Sequence, residues 1–134
     1  RAIVQARAIR QLAPVTGGVV LASLFIKQGN YADALATAEI VLQHQPDNPA
    51  ALYDVGRCAD QLGQALDRGI AALQRWLALT PRPAAPPPAD VQCRLGGLYL
   101  QKGDRSAAIL AYETALKFDP SFAEAQTALA ALKR

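Results

Sequence analysis

The sequence predicts an all-α fold of stacked helix-turn-helix units, and three observations carry that expectation. The 134 residues include 28 alanines and 18 leucines, against only 13 valines and isoleucines together. Ala and Leu are strong helix formers, whereas a β-sheet core draws on the β-branched and aromatic types that are scarce here. Three segments repeat one another: Leu21–Asn48, Val55–Pro81 and Leu95–Ser121. Glycine marks the same point of each at Gly29, Gly63 and Gly103, and proline closes each at Pro46, Pro81 and Pro120.

Composition excludes several classes. With 51% hydrophobic and 19% charged residues, the chain is too apolar to be disordered. Its longest nearly unbroken apolar stretch, Gly17 to Ile26, is about half of a bilayer-spanning helix, so no membrane insertion is expected. The net charge of +3 is dispersed along the chain and lacks the basic stripe of a nucleic-acid binder. Cys58 and Cys93 make neither a disulfide framework nor a CxxC zinc pattern, so no metal and no cofactor is expected. The chain starts at Arg1, contains no Met and shows no signal peptide, which predicts a processed protein or a piece cut from a longer one. Compartment stays open, with the cytoplasm favoured over the periplasm.

The elements read in order as one domain over residues 1–134. Residues 1–14 read as an N-terminal helix, the second half of a partial unit, with Ala2, Ala6, Ile9 and Leu12 along one side and Pro14 after it. Residues 15–48 form the first full unit, 49–81 the second and 89–121 the third, with a Pro-rich loop over 82–88. Residues 122–134 read as a capping helix. Glycine after each first helix takes the left-handed conformation that a Cβ disfavours. Small residues at Ala22, Gly56 and Gly96, facing Ala34, Ala108 and Ala115, let two helices approach closely. Proline ends the second helix because it cannot donate to it. From Gly29 to Gly63 is 34 residues and from Gly63 to Gly103 is 40; the excess falls within Gln64–Arg68 and after Pro81.

These residues resemble the tetratricopeptide repeat, a 34-residue helix-turn-helix unit. The third segment fits best, with Leu95-Gly96, Tyr99, Gly103-Asp104, Ala108, Tyr112, Ala115 and Pro120 in the family's slots. The first offers Leu21-Ala22, Phe25, Gly29, Tyr31, Ala34, Ala38 and Pro46. In the second, Leu52, Val55-Gly56, Gly63 and Pro81 match, while Gly69 and Trp76 stand where the family prefers Ala. The resemblance covers Val15 to Arg134 and implies a right-handed solenoid whose first helices line a concave groove.

Carrying the groove slots over implies partner-binding residues. They are Lys27 with Val19, Val20, Ser23 and Ile26 in the first repeat, and Tyr53, Asp54, Arg57, Asp60 and Gln61 in the second. The third supplies Asp90, Cys93, Arg94, Gly97, Leu100 and Gln101. Tyr53, Arg57 and Arg94 are of the types that anchor interfaces, combining planar contact with hydrogen bonds; the alternative is a merely solvated surface. A clamp around a peptide's C-terminal carboxylate, one known use of the fold, is disfavoured. Val19 and Ser23 replace the Lys and Asn it needs, and Asp54 and Asp90 would repel a carboxylate.

Catalysis finds little support. The one histidine, His44, sits at a helix end before Pro46, and carboxylates such as Asp33, Asp47, Asp104 and Asp119 are read as turn residues that cap helices or shape loops. A Cys–His nucleophile pair would need Cys58 or Cys93 beside His44. The chain is therefore expected not to be an enzyme. Its expected function is protein–protein interaction, with a protein or peptide partner. The alternative is a dimerisation or regulatory appendage of an enzyme domain encoded upstream. Val19, Val20 and Ile26, together with Ile3 and Ile9, suggest an apolar interface covered by the N-terminal helix, a second copy of the chain or a partner helix. The Pro-rich stretch 81–89 reads as a stiff spacer in preference to a polyproline ligand.

Overall fold

The computed structural model describes residues 14–134, so the expected helix over Arg1–Leu12, with Ile3 and Ile9, lies outside the described residues. Seven helices follow: α1 (Pro14–Lys27), α2 (Tyr31–His44), α3 (Pro49–Leu62), α4 (Leu66–Ala78), α5 (Pro88–Lys102), α6 (Arg105–Phe118) and α7 (Ala123–Leu132). No strand occurs among the described residues. None of these helices is long and apolar enough to cross a membrane.

Local chemistry sets the boundaries. Gly29 and Gly103 end α1 and α5 with φ of 73° and 88°. After each, the next N–H reaches back across the turn: Asn30 N to the Phe25 carbonyl at 2.8 Å, and Asp104 N to the Tyr99 carbonyl at 2.9 Å. The same two residues then cap the following helices, Asn30 accepting from Asp33 N and Asp104 from Ala107 N. One side chain thus opens the helix whose predecessor its own backbone closes, which keeps the turn tight. Asn48 caps α3 by accepting from Ala51 N at 3.0 Å, and Pro49 fills a first-turn position where a missing N–H costs nothing. The second turn is different. Ala65 precedes α4 with φ 56° and no side-chain cap. The extra residue in Gln64–Arg68 is accommodated there in left-handed backbone, at a cost of about 1–2 kcal/mol for a residue with a Cβ.

Helices pair as α1 with α2, α3 with α4 and α5 with α6, while α2 on α3, α4 on α5 and α6 on α7 stack the pairs. Glycine sets the closeness of all three pairs, and in the first a Cβ on Gly18 would stand 2.6 Å from Val41 Cγ2. A Cβ on Gly56 would stand 2.4 Å from Leu73 Cδ2, and one on Gly96 would stand 2.6 Å from the Tyr112 ring. The corresponding residues of the first pair are Ala22 and Ala38, both buried. Gly69 has a reason as well: a Cβ there would meet that of Ala59 at 2.7 Å, closer than Ala allows. Trp76 is wholly buried, its indole N–H without a partner among the described residues.

The stack bends. The first helices touch one another in sequence, α1 with α3 and α3 with α5, whereas α2, α4 and α6 have no comparable mutual contact. First helices therefore lie on the inside of the curve. Outside, the splayed second helices leave two equivalent hollows of about 290 and 300 Å³. Leu42, Leu52, Val55 and Ala72 line one; Leu77, Gln92, Leu95 and Ala111 line the other, one repeat further on.

A main core runs through Leu21, Phe25, Val41, Leu52, Leu73, Trp76, Val91 and Leu98. A second cluster, with Cys93, Tyr112 and Ala125 at its centre, fastens α7 through Phe122 and Leu129. The loop into α5 carries Arg82, whose guanidinium lies 5.3 Å from the centroid of the Phe118 ring. That stacking holds the Pro-rich segment to the end of α6.

Candidate partner-binding face

Five of the residues expected to bind a partner meet across the α3–α5 junction on the inner face. Tyr53 donates its hydroxyl to Asp90 Oδ2 at 3.2 Å. Arg94 donates to Asp60 Oδ2 at 3.0 Å, and its guanidinium lies over the Tyr53 ring, 5.7 Å from the centroid. Gln101 Nε2 donates to Asp60 Oδ1 at 2.7 Å and to the Asp60 carbonyl at 3.1 Å. Asp60 thus receives two side chains from the next repeat, and Arg94 is fixed by an ion pair and by an aromatic face. The Arg94–Asp60 side chains are only 19% and 25% exposed, so water screens the pair weakly. Arg94 Nε is buried without a partner among the described residues, which commits the guanidinium to its outer nitrogens.

Electrostatics follow from partial burial. Burial pushes the Asp60 carboxyl upward, while Arg94 and Gln101 pull it back. Asp54, one turn before Cys58, is raised to about 6 by burial, against a weaker opposing pull from Arg57. Tyr53 is raised mainly by burial. Asp54 and Arg57 are half-buried on α3, while Gln61 and Lys27 are exposed.

The apolar residues of α1 divide. Val20 is 43% exposed, Val19 is half-buried against the core, and Ile26 is 8% exposed within it. Ile26 is four residues beyond Ala22 and shares its buried side, so it does not belong to an open apolar surface.

Beside the polar cluster, α3, α5 and α7 enclose a hollow of about 440 Å³ lined by Asp60, Asp90, Cys93, Arg94, Tyr112 and Glu124 among others. Two of these were missed in the sequence as groove residues. Tyr112 fills a packing slot, and Glu124 sits on the capping helix beyond the repeats. A signal for Glu124 was present: one 34-residue step from Asp90 lands on it, as the same step takes Val91 to Ala125 and Leu95 to Leu129. Helix α7 stands where the first helix of a further repeat would.

Among the described residues the two thiols are poorly placed as nucleophiles. Cys58 and Cys93 are buried free thiols, pushed up to about 12 and about 11, chiefly by burial. A reactive cysteine needs the opposite shift. His44 is exposed at the end of α2, its Nδ1 3.1 Å from the Ile40 carbonyl.

Comparison with known proteins bears on the fold. A tetratricopeptide repeat family model matches residues 19–86, and a TPR repeat model matches residues 96–133. No curated protein matches the sequence. Among solved structures, MamA superposes with a TM-score of 0.85 at 23% identity, over 97% of this chain and 74% of that one. An O-GlcNAc transferase from Thermobaculum terrenum gives a TM-score of 0.72 at 24% identity, over 92% of this chain but only 22% of that one. A thermophilic TPR protein of Thermus thermophilus gives 0.68 at 21% identity, over 98% and 71%. With helix pairs, turn glycines and close-approach positions in the order such repeats require, the chain belongs to the tetratricopeptide repeat family.

Proposed function

We propose that the chain is a protein–protein interaction module that holds a segment of its partner along the inner face formed by α1, α3 and α5. One observation carries the reading: Tyr53, Asp60, Asp90, Arg94 and Gln101 are fixed in place by bonds to one another beside an open hollow. Side chains already ordered lose little further entropy when a partner docks, which favours affinity. Tyr and Arg are also the residue types in which binding energy concentrates. Tyr53, Arg57 and Arg94 serve as anchors in this reading, with Asp54, Gln61, Gln101 and Lys27 around them. Affinity capture with the 134-residue chain, repeated with Tyr53→Ala and Arg57→Ala, tests it: partner recovery should fall at least several-fold. Unchanged recovery with both variants sinks the assignment of the face.

The repeat family is generally non-catalytic, and the chain's own role is read as binding. A second reading draws on the O-GlcNAc transferase, of whose chain this fold spans 22%. In that reading the array is a dimerisation or regulatory appendage of an enzyme domain encoded upstream. Exposed Val20 on α1 supplies one apolar contact for it. Sedimentation equilibrium at rising concentration tests the dimerisation form of this reading, which requires self-association.

A further inference from the structure

We propose that the hollow between α3, α5 and α7 receives a cationic side chain, lysine or arginine, from the partner segment on the inner face. The proposal rests on the partner-binding reading above and adds the chemistry of the partner. Three carboxylates, Asp60, Asp90 and Glu124, face this space from three different helices, with Arg94 as the cation among its lining residues. Arg94 is the one cation shared by Asp60, with which it is paired, and Asp90, which also accepts the Tyr53 hydroxyl. Glu124, exposed on α7, has no hydrogen bond or ion pair among the described residues. The lining thus carries an excess of negative charge, although the chain as a whole is +3.

The same carboxylates bear on the titratable side chains of the walls. After burial, the Cys93 thiol is pushed up by Glu124, Asp90 and Asp60, and only Arg94 opposes them. Tyr112 is raised by burial and then, among others, by Asp60 and Glu124.

Shape and charge together select the occupant. Gly97 keeps the wall open, since a Cβ there would stand 3.3 Å from Asp60 Oδ1. Tyr112, buried against Gly96, contributes only an edge of the wall. An acidic group would meet net repulsion. An apolar side chain would strip water from Asp90 and Glu124 and return no hydrogen bond. A cation that pairs with both carboxylates is left.

The test selects binders from a random dodecapeptide library displayed on phage, using the 134-residue chain as bait. Selected peptides should share a lysine or arginine at one position. Changing that residue to glutamine should weaken binding about tenfold. Glu124→Gln should weaken the original peptide several-fold and leave the glutamine peptide unchanged; Asp90→Asn should act in the same direction. Glu124 is exposed, and a matching thermal melt by circular dichroism verifies that its variant is folded. Peptides without a basic preference, or equal binding to the Glu124→Gln chain, overturn the cationic occupant. If such peptides still lose binding with Tyr53→Ala, the partner-binding reading survives alone. Selection of no peptide overturns both.

Discussion

Arg94 joins the third repeat to the second by donating to Asp60 at 3.0 Å, with the two side chains only 19% and 25% exposed. Removing either partner leaves a partly buried charge without its counterion. Arg94→Ala is expected to destabilise the fold by about 1–3 kcal/mol in urea unfolding. A double-mutant cycle with Asp60→Ala should return a coupling of about 1 kcal/mol. Strictly additive losses would show that the pair contributes nothing beyond its separate parts.

Gly56 and Leu73 give the sharpest packing test. Ala favours a helix over Gly by about 1 kcal/mol, so propensity alone makes Gly56→Ala stabilising. Against that, its Cβ would lie 2.4 Å from two Leu73 carbons, and Leu73 is fully buried. Overpacking of this kind costs about 1–3 kcal/mol, and the net expectation is a loss. In a Leu73→Ala background the same substitution should become neutral or stabilising. The sign change in the urea midpoint is the readout.

Ala65 holds φ 56° where the second turn carries its extra residue. Glycine relieves that strain at some entropic cost in the unfolded chain. Ala65→Gly should therefore stabilise the protein by about 0.5–1 kcal/mol by thermal or urea unfolding. A loss instead would mean that the methyl group's packing outweighs the backbone.

Asp54 titrates at about 6 in the folded chain, against an ordinary 3.8, because burial disfavours its charge. The folded state binds this proton more tightly than the unfolded one. Stability from this group is therefore intact below about pH 4, falls as pH rises towards 6 and stays reduced above. Discounted for its partial contact with water, the penalty at pH 7.5 is about 1–2 kcal/mol. Asp54→Asn should recover most of it at pH 7.5 and little at pH 4, read from unfolding curves at both pH values.

Both thiols should be inert in the native state. With burial raising Cys58 to about 12 and Cys93 to about 11, little thiolate exists at pH 8. Modification by a disulfide reagent at that pH is expected to run at least ~100-fold slower than in denaturant. Rapid reaction of Cys93 would reveal local opening beside the hollow, since it forms part of that wall.

Much of the fold was legible because each repeat writes its own punctuation. Gly29 and Gly103 announce the left-handed turns, and Asp104 the cap that follows the second of them. The small residue at Gly56 or Gly96 announces a close crossing even before its partner is known. The excess within Gln64–Arg68 marked the turn that the structure strains at Ala65. The site was legible only as separate residues. Tyr53 and Asp90 are 37 positions apart, and Asp60 and Gln101 are 41 apart, so their bonds depend on how one repeat rotates against the next. No local pattern encodes that rotation. Ile26 lies in the core for a similar reason, since a slot carried over from the family does not fix how deeply its side chain is buried.

The arrangement of contacts also gives the array a direction of stiffness. Polar bonds tie α3 to α5 on the inside of the curve, while unfilled hollows separate the second helices outside. Straightening the array would stretch the inner bonds and close the outer gaps. Tyr53–Asp90 and Arg94–Asp60 act as tension members of a bent beam, and the outer hollows are the slack on its far side. The curvature is then a tunable quantity, and cutting these two ties should lengthen the molecule measurably in small-angle scattering before it unfolds.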